Sequence, residues 1–283
     1  MISLPQELVL KLVRAALAED VGGGDVTTLS TVPAGATSRA VMVAREEMVV
    51  SGGQFAETAF RELDPGVRVT RLVEDGTRVS KGTRLIEIEG PSRALLTAER
   101  VTLNFMQRLS GVASLTAQFV AAVDGTDAKI LDTRKTTPGW RELEKYAVRC
   151  GGAQNHRVGL WDMVLIKDNH LAALRDAQPN AIAAAVQRAR ALYPTLKIEV
   201  EADTLEQVGQ AADAGADIIL LDNMSLEQLR QSVALVRGRA KTEASGGVNL
   251  QTVRGIAETG VDYVSVGAMT HSARAMDIGL DFL

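Results

Sequence analysis

Cysteine, aromatic residues and long apolar runs are all scarce in this sequence of 283 residues. Cys150 is the single cysteine, which excludes an internal disulfide and fits a reducing compartment. The chain has no apolar run long enough to span a membrane. Its amphipathic N-terminal segment is interrupted by Glu7, Lys11 and Arg14, unlike a signal peptide. We therefore expect a cytoplasmic protein with no membrane partner.

An excess of positive charge is also missing. The formal net charge is −4, and aromatic residues make up only 4% of the chain. Nucleic-acid-binding proteins need a basic surface or aromatic side chains on which bases stack, so we expect no nucleic-acid partner. The hydrophobic fraction of 46% is enough for one large core or two modest ones. A bound anion should therefore be small and contacted by a local group of cations.

The first part of the chain, residues 1–112, predicts an α/β domain with a mainly antiparallel sheet. Apolar and polar residues alternate in segments separated by Gly, Asp and Pro turns, which is typical of antiparallel strands. We predict helices beside this sheet at residues 4–18, 53–62 and 92–123, and we expect the tail 273–283 to pack back on the domain. The predicted strand segments are "SRAVMVAREEMVVSG", "VRVTRLVEDGTRVS" and "GTRLIEIEG".

The second part, residues 113–272, repeats a different pattern. Short apolar runs that end in a polar residue alternate with helical stretches, which predicts a βα repeat with parallel strands. Six strands are too few for an eight-unit barrel, so we favour an open or incomplete α/β barrel over a doubly wound sheet. The predicted strands are "AKILDT", "DMVLIK", "KIEVEA", "ADIILLD", "KTEASGG" and "DYVSVGA".

Polar residues stand at the carboxyl ends of these strands. In α/β barrels these ends form the reaction face, so the side chains should converge on one mouth. The residues are Asp132, Lys167, Glu201, Asp222, Ser245 and Gly267.

Cations are concentrated near the same strand ends. Arg134 and Lys135 are adjacent and are followed by two threonines and a Pro-Gly turn; adjacent cations repel unless an anion lies beside them. A solvated loop would explain this pair alone, but His156, Arg157 and Lys167 lie nearby in the pattern and favour an anion site. Lys167 ends an apolar strand, where its burial would be costly without a negative partner.

Two carboxylates and two glycine-containing loops complete the pattern. Glu201 and Asp222 either pair with the cations or bind a divalent metal such as magnesium. Ser245 to Gly247 follow one strand, and Gly267 and Ala268 follow the next, which predicts backbone N–H groups directed at a phosphate. The remaining titratable residues have structural explanations: Cys150 as a packed small residue, and His170 and His271 as core residues or loop caps.

The sequence resembles the quinolinate phosphoribosyltransferase family from about Glu19 to the C-terminus. The matching motifs occur in order, which makes coincidence improbable. The resemblance implies an N-terminal α/β sandwich domain followed by an open α/β barrel, assembled as a dimer or a hexamer of dimers. The motifs are "EDVGGGDVTT", "ERVTLNFMQRLSGVAS", "LDTRKTTPG", "RCGGAQNHRVGLWD", "LIKDNH", "EVEADTLEQ", "ILLDN", "SGGV" and "VDYVSVGAMTHS".

The resemblance also implies an activity. It is the transfer of phosphoribosyl from phosphoribosyl pyrophosphate to quinolinate, with release of pyrophosphate and CO2 to give nicotinate mononucleotide, with Mg²⁺ as cofactor. Catalytic roles are implied for Lys135, Lys167, Glu201 and Asp222, of which the two carboxylates would hold the ribose hydroxyls and the metal. The residues implied to line the quinolinate site are Arg100, Arg134, His156, Arg157 and Lys167, with Lys135 between this site and phosphoribosyl pyrophosphate. The implied 5′-phosphate contacts are Ser245, Gly247 and Gly267, and Gly246 and Ala268 are further implied substrate-binding residues.

Arg100 is implied to act in the partner's site, because in this family the first domain of one subunit covers the barrel mouth of the other. The apolar face of its helix, formed by Leu96, Val101, Leu103, Phe105 and Met106, needs a surface to bury against, either a partner or its own sheet.

One position departs from the family pattern, and two other functions remain open. Ala153 stands where the family has a third glycine, and alanine would be strained there if the position needs a positive φ. A relative acting on a monocarboxylate such as nicotinate would need fewer cations. A non-catalytic anion sensor, for instance in metal-oxyanion uptake, would have little reason to keep both Glu201 and Asp222.

In the implied reaction, the proton that replaces CO2 on the ring would come from Lys167 or His156.

Overall fold

The structure is a computed structural model that describes residues 3–283. Its internal contacts group the chain into two compact units. The first contains the described residues up to Ala117, together with Pro138–Gly152 and Ser272–Leu283. The second contains Gln118–Thr137 and Ala153–His271. The division drawn from the sequence instead places residues 113–117, Pro138–Gly152 and Ser272 in the second domain.

Helices and strands fill most of the described chain. The elements up to residue 122 are α1 (Gln6–Val21), α2 (Val26–Thr31), β1 (Thr37–Ala44), β2 (Met48–Val49), α3 (Gly53–Leu63), β3 (Arg68–Arg71), β4 (Arg78–Val79), β5 (Arg84–Pro91) and α4 (Ser92–Ala122). The elements from residue 129 onward are β6 (Lys129–Leu131), α5 (Arg141–Cys150), β7 (Val164–Ile166), α6 (Asp168–Ala172), α7 (Ala181–Leu192), β8 (Ile198–Ala202), α8 (Leu205–Asp213), β9 (Ile218–Asp222), α9 (Leu226–Val236), β10 (Lys241–Ser245), α10 (Val253–Ala257), β11 (Tyr263–Ser265), α11 (Ala268–His271) and β12 (Ile278–Phe282).

The first unit is built on an antiparallel sheet with strand order β12-β1-β5-β3, which confirms the predicted sheet. Met42 lies opposite Ile86, and Ala40 lies opposite Ile88, so alternate residues of β1 and β5 share one face. That face is buried together with Phe60 of α3, and all five residues belong to one apolar core. The alternation in the sequence therefore reports the buried face of this sheet.

The helix α1 is held on this unit by a single stripe of apolar residues. Val9, Val13 and Leu17 recur every four residues and are buried, and α1 packs against α3. The helix begins after Pro5, which has no N–H to leave unpaired. It ends at Gly22, whose φ of 52° breaks the helical geometry.

The apolar face of α4 is covered by its own chain. Phe105 stacks between Phe55 and Trp140, with ring centroids 4.5 and 5.2 Å apart. Leu96 is half-buried. The apolar face of α4 is already buried within the chain, so its apolar character does not indicate contact with a second subunit. The buried residues are Val101, Leu103, Phe105 and Met106.

The second unit contains a six-stranded parallel sheet with strand order β6-β11-β10-β9-β8-β7. Each of the six predicted strands is present, and successive strands are joined through helices, which confirms the βα repeat. β6 and β7 are the edges of the sheet, so hydrogen bonding leaves it open between its first two strands. Gln154 forms an isolated parallel bridge with Leu131 at the β6 edge.

Two predicted helices differ from the structure. The helical pattern of residues 171–193 is interrupted: α6 ends at Ala172 and α7 begins at Ala181. Pro179 lies in the interruption, lacks a backbone N–H and disfavours helix in the residue before it. Asn180 then caps α7 by accepting from the N–H of Ala183 at 2.8 Å. The helix α10 begins at Val253, later than its pattern suggests. Among the helices formed by residues 3–283, none combines the length and hydropathy required to cross a membrane.

Candidate active site

A cavity of about 570 Å³ opens at the carboxyl ends of the parallel strands in the second unit. Ser245 pairs in register with Asp222, so β9 and β10 end at the same level. Side chains from several strand ends and from the loops after them therefore face one space. The site residues proposed from the sequence that line it are Arg134, Lys135, His156, Arg157, Lys167, Glu201, Asp222, Ser245, Gly246 and Gly247.

Two guanidinium groups in this cavity are poorly compensated by the protein. The Nε of Arg134 is buried and has no hydrogen-bond partner in the part of the chain that the structure describes. Burial and the positive charge of Arg134 lower the pKa of Arg157, although Glu199 and Asp162 act in the opposite direction. A buried donor without an acceptor and two repelling cations are both costly, and an anion would relieve both.

A hollow in the first unit is larger, about 920 Å³, and several of its charges are paired, although the buried Nε of Arg149 in its lining has no hydrogen-bond partner among the described residues. Arg61 Nη1 lies 2.6 Å from Glu57, and Arg71 lies within 3.7 Å of both Glu57 and Glu74. Size alone therefore does not identify the site. The smaller cavity differs in that two of its guanidinium groups, Arg134 and Arg157, repel each other.

The loop that carries His156 and Arg157 is fixed by two carboxylates. Asp132, fully buried at the end of β6, accepts hydrogen bonds from Asn155 Nδ2 at 2.7 Å and from the His156 N–H at 2.8 Å. Asp162 accepts from the backbone N–H groups of Val158 and Gly159 at 2.7 and 2.9 Å. Ala153, the departure from the family glycine, is not among the residues with positive φ. That conformation is adopted by Gly152, with φ 90°, so alanine is not strained.

Lys167 has a negative partner, although its side chain is 45% exposed and not buried as the sequence suggested. Its ammonium forms an ion pair with Glu201, whose side chain is 12% exposed. The backbone N–H of Lys167 donates to His170 Nδ1 at 2.9 Å, so His170 caps the turn that starts α6. Asp222 instead accepts from the Asn223 amide at 2.7 Å. Glu201 is therefore the carboxylate bound to the cations, and Asp222 stays available.

The same two carboxylates fit a magnesium ion. Glu201 and Asp222 end the neighbouring strands β8 and β9, and both line the cavity. Mg²⁺ is commonly bound by one or two carboxylates plus substrate phosphates and water, so this pair of oxygen donors suits it.

The loop after β10 needs a glycine at its centre. Gly246 has φ 101°, and a Cβ built on it would lie 2.1 Å from Asn223 Oδ1. Gly247 also has a positive φ, 60°. The helix after this loop, α10, starts only at Val253, and the loop itself lines the cavity.

The other proposed residues lie on two elements. Gly267 is close to Lys135, since a Cβ added to it would be 3.1 Å from the Lys135 Cδ, and Ala268 begins α11 directly after it. Arg100 belongs to the first unit, where it lies exposed on α4. Burial raises the pKa of the Cys150 thiol, which fits a packed residue and not a nucleophilic thiolate.

Three buried acids near His156 were not among the site residues proposed from the sequence. Asp132 was identified only as a strand end. Glu199 and Glu243 line the interior of β8 and β10, and burial, followed by the charge of Glu199, raises the pKa of Glu243 to about 8. A signal existed in the sequence: Glu199 stands two residues before Glu201, so both side chains lie on one face of β8.

Comparisons with known proteins extend over nearly the whole chain. The family model described as "Quinolinate phosphoribosyl transferase, N-terminal domain" matches residues 25–110, and its C-terminal counterpart matches residues 112–281. "Nicotinate-nucleotide pyrophosphorylase [carboxylating]" of Mycobacterium leprae is 46% identical over 275 residues, which cover 95% of each chain. "Quinolinate phosphoribosyltransferase [decarboxylating] 2b, mitochondrial" of Nicotiana tabacum is 41% identical, over 95% of this chain and 81% of its own.

A solved structure agrees with the fold. The nicotinate-nucleotide pyrophosphorylase from Francisella tularensis is 41% identical and superposes with a TM-score of 0.95, covering 100% of this chain and 98% of its own.

Proposed function

We propose the following reaction for this chain, which belongs to the quinolinate phosphoribosyltransferase family. The enzyme transfers the phosphoribosyl group of phosphoribosyl pyrophosphate to the ring nitrogen of quinolinate. Pyrophosphate and CO2 are released, and the product is nicotinate mononucleotide for de novo NAD synthesis.

The observation that carries this proposal is the uncompensated Arg134–Arg157 pair. Quinolinate has two adjacent carboxylates, and withdrawing both from water requires several fixed cations, preferably guanidinium groups that bind each carboxylate through two hydrogen bonds. Arg134 has a buried Nε without an acceptor among the described residues, and its charge lowers the pKa of Arg157. A dianion matches this arrangement better than the single carboxylate of nicotinate.

The carboxylates support the transfer step electrostatically. As pyrophosphate leaves, positive charge develops on the ribose, and the pyridine nitrogen then forms the new bond to C1 of the ribose. Glu201 and Asp222 are placed to stabilise that charge without forming a bond to the sugar. Mg²⁺, bound by these two residues and the substrate, would neutralise the pyrophosphate as it departs.

Decarboxylation follows because the glycosylated nitrogen is cationic. The C–C bond to the departing CO2 breaks, and its electron pair stays on the adjacent ring carbon, stabilised by the ring nitrogen. A proton must then be added to that carbon. The His156 ring directs Nε2 at buried carboxylates, so we favour Lys167 over His156 as the donor.

A direct assay tests the reaction. The purified protein, Mg²⁺ and phosphoribosyl pyrophosphate are incubated with quinolinate or, separately, with nicotinate, and nicotinate mononucleotide and released CO2 are measured. We expect turnover with quinolinate only. Turnover with nicotinate alone would favour the monocarboxylate enzyme, and binding without turnover would favour the anion sensor.

We further propose a homodimer with shared active sites as the basic assembly, in which Arg100 contributes to the partner's cavity; a hexamer would contain three such dimers. The support is the family membership and the exposed position of Arg100 on α4. Mixing Arg100→Ala with Lys167→Ala after reversible dissociation tests the proposal. Hybrid dimers then hold one intact site, and about a quarter of wild-type activity should return. No recovery, with subunit exchange confirmed, would refute shared sites.

The proposed location is cytoplasmic. The single cysteine fits a reducing compartment. Some plant relatives are named as mitochondrial or chloroplastic, so the location is a property to be measured in the source cell by fractionation.

A further inference from the structure

Two carboxylates with no assigned role lie next to His156. The side chains of Glu199 and Glu243 are 0% and 1% exposed, on β8 and β10. Among residues 3–283, no donor forms a hydrogen bond with either side chain. His156 Nε2 approaches Glu199 Oε2 to 2.9 Å and Glu243 Oε2 to 3.5 Å. Buried carboxylates are costly unless a donor faces them, so this ring N–H is central to the cluster.

The other ring nitrogen determines where the proton lies. His156 Nδ1 accepts a hydrogen bond from the backbone N–H of Arg157 at 2.8 Å. A nitrogen that accepts carries no proton, so in the neutral ring the proton lies on Nε2 and points towards the carboxylates. The hydrogen bond at Nδ1 and the close contacts of Nε2 with the two acids thus favour the same tautomer.

We propose that Glu199 and Glu243 are positioning residues that hold His156 as the neutral Nε2–H tautomer and thereby fix the backbone of Arg157. The acids orient the His156 ring, and the ring nitrogen Nδ1 accepts a hydrogen bond from the Arg157 N–H. The backbone N–H of His156 donates to Asp132, which fixes the main chain at that residue. The guanidinium of Arg157 is then directed into the cavity in a fixed position. The role assigned to Arg157 rests on the proposed function; the tautomer does not.

A bound divalent metal is the competing explanation for the cluster. One ligand atom from each of His156, Glu199 and Glu243 lies within 4.8 Å of the others, a spacing that an ion could bridge. A metal on Nε2 needs the lone pair of that nitrogen, which in the neutral ring leaves the proton on Nδ1. Nδ1–H would oppose the Arg157 N–H, so the hydrogen-bond pattern disfavours the metal.

The ring tautomer can be measured in the full-length protein. The chain has three histidines, so ¹⁵N labelling of histidine gives three ring spin systems, and His156→Gln identifies the signal of His156. We expect a protonated-type Nε2 and an unprotonated-type Nδ1, unchanged when Zn²⁺ or Mn²⁺ is added to chelator-treated protein. A proton on Nδ1, a doubly protonated ring, or a ligated Nε2 after stoichiometric metal would overturn the proposal.

Variants then test the positioning role. Glu199→Leu with Glu243→Leu removes both acceptors with apolar groups of similar size, and such replacements are often tolerated by the fold. We expect mixed tautomers and a KM for quinolinate raised by roughly tenfold, with the KM for phosphoribosyl pyrophosphate changed less than about twofold. Glu199→Gln keeps an acceptor oxygen and should retain most of the quinolinate affinity.

Each outcome bears on a separate claim. An unchanged KM for quinolinate in the folded double variant would overturn the positioning role, whereas a double variant that fails to fold leaves the wild-type tautomer as the deciding measurement. Quinolinate affinity is also read by calorimetry, so a protein without turnover would refute the proposed reaction while the tautomer and binding results still decide this inference.

Discussion

Replacing Arg157 by lysine removes a planar pair of hydrogen-bond donors while keeping the formal charge. Arg157 is half-buried, its Nη1 lies 3.4 Å from Met163 O, and burial and Arg134 lower its pKa. An ammonium cannot form two parallel N–H···O bonds with one carboxylate. The variant therefore separates the geometry of quinolinate recognition from its charge.

The expected loss follows from the bond that lysine cannot replace. A hydrogen bond to a charged group contributes roughly 1.5–3 kcal/mol. Each ~1.4 kcal/mol is tenfold in Kd, so we expect quinolinate to bind roughly 10- to 100-fold more weakly. The burial that disfavours the charge of Arg157 acts on lysine as well, and in the same direction.

Isothermal titration calorimetry with quinolinate measures this loss directly. The matched control is Arg230→Lys, because Arg230 lies exposed on α9, 3.9 Å from Glu227, and such surface pairs contribute little. The control should leave quinolinate affinity unchanged, and both variants should keep the wild-type melting temperature. If Arg157→Lys binds quinolinate with wild-type affinity, the assignment of a bidentate carboxylate contact to Arg157 is refuted.

Three other perturbations have defined outcomes. Asp222→Asn should lower turnover by roughly 100-fold while quinolinate affinity and Tm stay near wild type; a large fall in Tm would show a structural role instead. Gly246→Ala should lower Tm and phosphoribosyl pyrophosphate affinity, since strain there costs roughly 1–3 kcal/mol, whereas Gly209→Ala in α8, with 3.8 Å to the nearest atom, should raise Tm slightly. Arg274 lowers the pKa of Glu46 to about 2, so this carboxylate stabilises the fold above its ordinary value of 4.5. Glu46→Gln should thus lower Tm at neutral pH, a difference that disappears as acid unfolding is followed from 4.5 towards 2; a constant difference would contradict the linkage.

Much of the fold could be predicted because its strands are short apolar runs with sharp ends. Ile218–Asp222 is an example: four apolar residues followed by an acid mark both the strand and its carboxyl end. Helix limits were less predictable. The pattern over residues 171–193 is helical, and Pro179 indicates that it is interrupted, but the end of α6 at Ala172 has no comparable signal. The local pattern of apolar residues thus predicts whether a segment is a helix or a strand, but it does not predict where a helix ends.

The lining of the candidate site was predictable for a related reason. Lys167, Glu201 and Asp222 each end a strand, and parallel strands bring their ends to one edge. The pairing among them was not predictable, because Lys167 could reach either acid and only the structure shows that it contacts Glu201. Glu243 was missed because a charged residue inside a strand is visible as buried only once the neighbouring strands are known.

The pairing of β12 with β1 constrains the order in which the protein can form during synthesis. Ala40–Ala44 and Ile278–Phe282 are hydrogen-bonded partners, yet more than two hundred residues separate them in the chain. While the ribosome is still making the second unit, one side of β1 has exposed backbone N–H and C=O groups and no permanent partner. The parallel sheet can complete itself first, since its strands are contiguous in sequence. The antiparallel sheet of the first unit remains incomplete until β12 has been synthesised. During that interval the unpaired edge of β1 is accessible to chaperones or to strand exchange with another copy.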